Sequence, residues 1–254
     1  MDAAHATHAA AATGSLDATQ LLFDSMPPIR GSLQGPVVST PELEAKSRPS
    51  RRNGINTFEA ILTTTGELLA EVGFERLTTN LVCERAGLTP PALYRYFPNK
   101  YALLTELTRR LMDAQDQVVF AWVESGGAHW TTLAAAVESH IRLQKEIITV
   151  TRAFPGGLWI LRAIRAMPPL QDVRVQSRTA VLDRIFAFRV KDGPPVDEER
   201  LKLSMRVSEL MSYAAMEMLV EDPELDEDMV IEEVAWMIGR YHFDLPRRSQ
   251  LSKD

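Results

Sequence analysis

The chain has 254 residues, 45% hydrophobic and 24% charged, with a formal net charge of -6. This length can bury a substantial core, the acidic balance argues against indiscriminate coating of nucleic acid, and no run of ~18 apolar residues is present to cross a bilayer. The single cysteine, Cys83, excludes an intrachain disulfide, and without a convincing export signal the expected compartment is the cytoplasm.

Charge is unevenly spread. Residues 46 to 110 hold 10 Lys+Arg against 6 Asp+Glu, whereas the remainder holds 18 against 28. Such asymmetry suits one segment that meets a polyanion and another that does not, although modest local differences are common. Residues 1–50 are rich in Ala, Thr, Ser, Gly and Pro and are expected to be a disordered tail. Within them Leu21–Met26 is a short apolar island, and Met26 is an alternative start. The tail leads into the basic stretch Lys46–Arg52.

Helical periodicity begins near Asn56. Phe58, Ile61, Leu62, Thr65, Leu68, Leu69 and Val72 recur three and four residues apart. Asn56 with Glu59 resembles a capping arrangement, and Gly73 is the expected stop. A second helix is expected after Thr78, a third from Pro90 or Pro91 to about Phe97, and a fourth capped by Asn99 with Leu103, Leu104, Leu107 and Leu111 as its seam. Further helices are expected over about 131–152, on to Met167, from there to about Val190, and over about 197–220 and 227–243. The breaks are ESGGAHW, FPGG, MPP and KDGPPVDEE. The predicted fold is all-α. A small N-terminal three-helix domain spans residues 51–100, and a larger helical body spans 101–246.

The stretch AGLTPPALYRYFPNKYALL, Ala86–Leu104, places Tyr94, Arg95 and Tyr96 on a very short helix after a Gly-containing turn. Two helices so joined describe a helix-turn-helix, whose second helix enters the major groove. Arg95 can reach phosphate or a guanine edge. Tyr94 and Tyr96 can offer hydroxyls to phosphates, or else cover core edges. Lys100 adds a charge at the next helix start, where the N-terminus itself favours phosphate.

Glu71–Leu104 resembles the DNA-binding domain of the tetracycline-repressor (TetR) family of transcriptional regulators. The resemblance is carried by Gly73, Thr78-Thr79, Ala86-Gly87, Leu93-Tyr94, Phe97 and Asn99-Lys100 at their spacings. It implies a dimeric regulator, expected to be a repressor, that binds a palindromic double-stranded operator and leaves it when a small effector binds. It further implies phosphate contacts from Thr78 and Thr79 and a base contact from Asn80. Thr89, Pro90, Pro91 and Ala92 would form the leading edge of the recognition helix. Tyr94, Arg95 and Tyr96 would form its contact face, with Lys100 as a phosphate clamp. The two prolines and Ala92 depart from the pattern, because they leave that edge little hydrogen-bonding capacity beyond apolar contact with thymine methyls.

Other signals are weaker. Arg48, Arg51 and Arg52 could enter the minor groove or remain a solvated arm. Cys83 is expected in the core. The five histidines show no metal spacing, and no catalytic motif, phosphate loop or cofactor motif is present, so neither an enzyme nor a metal or cofactor is expected. By position in the resembled family, the helix Gly157–Met167 links the effector pocket to the DNA-binding domain. Phe154, Trp159, Arg162, Phe186, Tyr213 and Met216 are the candidate effector contacts, the alternative being that they only fill a core and that Arg162 is solvated. The last two helices are the expected dimer contact, through Ser208, Ser212, Ala214 and Ala215 and through Ile231, Val234, Ala235 and Ile238. Those stripes equally suit an intramolecular core. The rival readings are a helical protein–protein interaction module without specific DNA binding and an enzyme built on a helical body.

Overall fold

A computed structural model describes residues 41–251. The expectations for residues 1–40, including the Leu21–Met26 island, lie outside the described residues. Every regular element among the described residues is helical: α1 (Arg52–Arg76), α2 (Thr79–Ala86), α3 (Pro90–Tyr94), α4 (Lys100–Glu124), α5 (Leu133–Ala153), α6 (Gly157–Ala166), α7 (Pro168–Asp192), α8 (Glu198–Glu221), α9 (Glu227–Phe243) and α10 (Leu245–Leu251). Helix α10 had no counterpart in the sequence reading.

The helix boundaries follow local chemistry. Side-chain oxygens of Thr78, Asn99, Thr132, Asp197 and Asp226 each accept a backbone N–H three residues on. These bonds satisfy first-turn donors that have no intrahelical partner. Gly73 (φ 72°) breaks the tail of α1. Gly87 sits at φ 65°, ψ 32°, a left-handed conformation open to glycine at no steric cost, and turns the chain from α2 toward α3.

Three expectations need correction. Helix α1 starts a turn earlier than Asn56: Ile55 N already bonds Arg51 O at 3.0 Å, and no side chain caps the helix. Pro49 lies against Gly54, so the preceding chain sets where α1 begins. Helix α3 ends at Tyr94, with Thr89 as N-cap and Pro90 as first helical residue. Residues 41–50, read as part of the tail, instead run extended along α1 and α4, because backbone and ionic contacts from distant residues hold a segment that lacks apolar periodicity.

One continuous core joins the first three helices to α4 and α6. Ile61, Leu68, Leu69, Leu77, Val82 and Leu93 meet Phe97, Leu103, Leu104, Ile160 and Ile164 in a single cluster. Cys83 is buried there, as expected, and burial pushes its thiol pKa up. Beyond this, α4 packs on α7 and α5 on α9, while α8 closes against α7 and α9. Among the described residues no single helix is long and apolar enough to cross a membrane.

Candidate nucleic-acid interface and ligand cavity

Helices α2 and α3 are locked from both sides. Leu93 and Phe97 are fully buried and anchor α3 from behind. On the outer side Thr79 Oγ1 and Tyr94 OH are 2.9 Å apart, a hydrogen bond between the two helices. Tyr94 remains 40% exposed. Thr78, Asn80, Thr89, Pro90, Pro91 and Arg95 are also exposed, and Ala92 is half-buried. The candidate contact residues are therefore accessible, Tyr96 excepted.

Tyr96 is buried and meets Phe58 edge-on with ring centroids 5.7 Å apart. Of the two roles expected of Tyr96, reaching phosphate or covering a core edge, this burial fits the second. Two residues beyond Tyr94, the helical turn carries it to the opposite side. Lys100 Nζ lies 4.2 Å from the centroid of the Phe74 ring and 3.4 Å from the Phe74 carbonyl oxygen. Its charge thus ties α4 to the end of α1.

The second feature is a cavity of about 130 Å³ among α4, α5, α7, α8 and α9, with a further cavity of about 100 Å³ beside it. Trp122, Trp130, Leu182, Ile185, Leu201 and Ile238 give the first an apolar lining. Its polar groups were not found from sequence. His140 and His242 stack with ring centroids 6.3 Å apart and interplanar angle 9°. His140 Nδ1–H donates to Ala136 O at 2.8 Å. Ser208 donates its hydroxyl to Ser204 O, so its 2.9 Å contact with His242 has Nε2–H as donor. Burial lowers both histidine pKa values, His140 to about 4 and His242 to about 3. For His242 the neighbouring His140 and Arg189 add to this effect. Arg189 lies with its guanidinium carbon 4.8 Å from the Trp130 ring centroid.

The adjoining cavity is more polar. Arg174 lies 3.6 Å from the Tyr213 ring centroid and pairs with Glu209 at 2.6 Å. Glu209 Oε2 and Tyr213 OH are buried without hydrogen-bond partners. Burial pushes the Tyr213 pKa up to about 12, outweighing Arg174, and also raises that of Glu209.

Of the six expected effector contacts, Tyr213 and Met216 line this second cavity. Phe154, Trp159, Arg162 and Phe186 line neither. Trp159 is 36% exposed, under the Arg162 guanidinium, and Arg162 donates to Val220 O at 2.6 Å. Phe186 belongs to a separate small cluster with Leu201, Met205 and Leu245. Helix α6 faces α1 with the side that carries Trp159, so the family position from which Trp159 was assigned brings it to neither cavity. One signal for His242 was legible: it continues the Ile231, Val234, Ala235, Ile238 spacing by one further turn.

Residues 61–107 match the family model for bacterial regulatory proteins of the tetR family. The stretch from α1 to the start of α4 thus carries a TetR-family domain. It is 48% identical to the class C tetracycline repressor of Escherichia coli over 54 residues, covering 21% of this chain and a quarter (25%) of that repressor. It is 28% identical to the transcriptional regulator RutR of E. coli strain K12 over 152 residues, 56% of this chain and 67% of RutR. A tetR-family transcriptional regulator from Streptomyces coelicolor shares the fold, with a TM-score of 0.60 at 13% identity over 77% of this chain and 84% of that one. The family match thus falls on the segment that carries α2 and α3.

Proposed function

We propose that the protein is a dimeric TetR-family repressor that binds a two-fold symmetric operator and releases it when a small apolar or aromatic effector enters the cavity beside α8. The observation that carries this reading is the exposed α2–α3 surface, pinned by the Thr79–Tyr94 bond and lying within the family match. Residues 51–100 serve as the DNA-binding domain and 101–246 as the effector and dimerisation domain. Thr78, Thr79, Asn80, Thr89, Pro90, Pro91, Ala92, Tyr94 and Arg95 are the proposed DNA-facing positions. Tyr213 and Met216 are retained as effector contacts, joined by Gln144, His140, His242 and Glu209.

Of the expected dimer stripes only Ala214 is exposed, so we place the dimer contact beside them. Ile231, Val234, Ala235, Ile238 and Ser208 are buried within the chain. The outward faces of α8 and α9 instead expose Leu203, Val207, Leu210, Trp236 and Met237. These apolar side chains on adjacent helices suit a second copy of the same face. Coupling to DNA runs through α6: the Pro155–Gly156 turn touches Gly66 on α1 so closely that a Cβ on Gly66 would meet Pro155 O at 2.4 Å. An effector shifts the equilibrium only by binding the released state more tightly.

In vitro selection from random duplexes tests the reading. Enrichment of inverted repeats, with half-site centres about one helical turn (~34–36 Å) apart, is the expected result. Recovery of no preferred sequence at low salt would overturn it.

A further inference from the structure

The segment before α1 is anchored along its length. Asn99 Nδ2 donates to Glu42 O at 2.9 Å, Arg109 pairs with Glu44 at 2.8 Å, and Lys46 N donates to Tyr96 O at 2.7 Å. Arg48 grips Glu106 with both terminal nitrogens, at 3.2 and 2.7 Å. The Glu106 side chain is only 3% exposed and also holds Arg109 and Arg110. Arg110 in turn binds Glu59 on α1. Burial opposes charge on Glu106, but hydrogen bonds and charges from Arg110 and Arg48 outweigh it, and its pKa falls below the usual carboxylate range. A bidentate Arg–carboxylate pair of this kind fixes direction as well as position.

This anchoring has a consequence for the arginines that follow. Arg48, though its side chain is 61% exposed, is paired with Glu106, whereas the likewise exposed Arg51, Arg52 and Arg95 form no ion pair among the described residues. All three line one open concavity at the start of α1, together with Arg48, Ser50, Asn53 and Thr57. The first turn of α1 lacks a side-chain cap, and its residues Arg52–Gly54 line the same concavity. Exposed guanidiniums, hydroxyl and amide donors and uncapped backbone N–H groups match the acceptor oxygens of a phosphodiester. Arg95, at the end of α3, joins this concavity to the candidate DNA surface.

We infer that Arg51, Arg52 and Arg95, with the uncapped start of α1, form a phosphate clamp on the DNA backbone, held in place by the Arg48–Glu106 pair. This rests on the operator-binding reading and assigns a contact outside the α2–α3 pair. In it Arg51, Arg52 and Arg95 supply affinity without base readout, and Arg48 is a positioning residue that does not touch DNA.

The test uses the full chain, the selected operator duplex and an unrelated duplex of equal length, with affinity measured against salt. Each phosphate contact contributes about 0.9 to the slope of log K against log salt. Arg51→Ala/Arg52→Ala should therefore flatten the slope by about 3–4 in a two-fold complex, on both duplexes, with base preference unchanged. Arg48→Met should reproduce much of that loss and add none in the Arg51→Ala/Arg52→Ala background, with an unaltered thermal midpoint confirming the fold. An unchanged slope in the double variant would overturn the clamp, as would loss of preference at a base pair, which marks a minor-groove reader. Full additivity of Arg48→Met would show that Arg48 itself touches DNA and overturn its positioning role. If the wild type binds neither duplex, the operator-binding reading itself fails.

Discussion

Acidification from pH 7 to 5.5 should destabilise this protein through two residues in particular. His140 and His242 are neutral when folded, with pKa values lowered from 6.5 to about 4 and about 3. In the unfolded chain each takes up a proton near pH 6.5. Between that value and the folded pKa the unfolded state binds more protons, so stability falls as pH falls. At pH 5.5, one unit below the unfolded pKa, each histidine contributes about 1.4 kcal/mol of destabilisation, of which about 0.2 is already present at pH 7. The pair therefore removes about 2–2.5 kcal/mol, or roughly 5–10 °C in thermal midpoint for a chain of this size. Thermal unfolding at both pH values should be compared with His140→Gln/His242→Gln, whose amides retain donors for Ala136 O and Ser208 Oγ. Carboxylates titrate alike in both proteins, so the difference isolates the histidines. Equal pH sensitivity of wild type and double variant would refute the reasoning.

Other expectations follow from single contacts. Gly66→Ala should cost about 1–3 kcal/mol in denaturant unfolding, because the new methyl meets Pro155 backbone rather than a movable side chain. Its effect on effector-driven release should exceed its effect on effector binding. Trp236→Lys, on the exposed face of α9, should shift the protein toward monomer in sedimentation and weaken operator binding while leaving helical content unchanged. Tyr213→Phe should cost less than about 1 kcal/mol in stability, since its hydroxyl has no partner to lose, yet should alter effector affinity measured by calorimetry. Tyr94→Phe removes the bond to Thr79 and should weaken operator binding with little change in thermal midpoint.

Much of the architecture was decided by short-range chemistry. The caps at Thr78 and Asn99, the left-handed Gly87 and the apolar spacing along each helix act within a few residues, so they mark helices in a linear reading. The accessible part of the α2–α3 surface was legible for the same reason. What tertiary structure alone decided depends on residues far apart in the chain. Tyr96 turned inward because Phe58 offered it a ring to meet. Trp159 was placed beside α1 rather than in the cavity by the packing of α6. Residues 41–50 acquired order from partners on α4, most of all the buried Glu106, although nothing in their own periodicity encodes structure. His140 and His242, about a hundred residues apart, became a neutral pair only when α5 and α9 packed and excluded water from both rings. Periodicity reports which face of a helix is buried, but not what lies opposite; that is settled by how the faces meet.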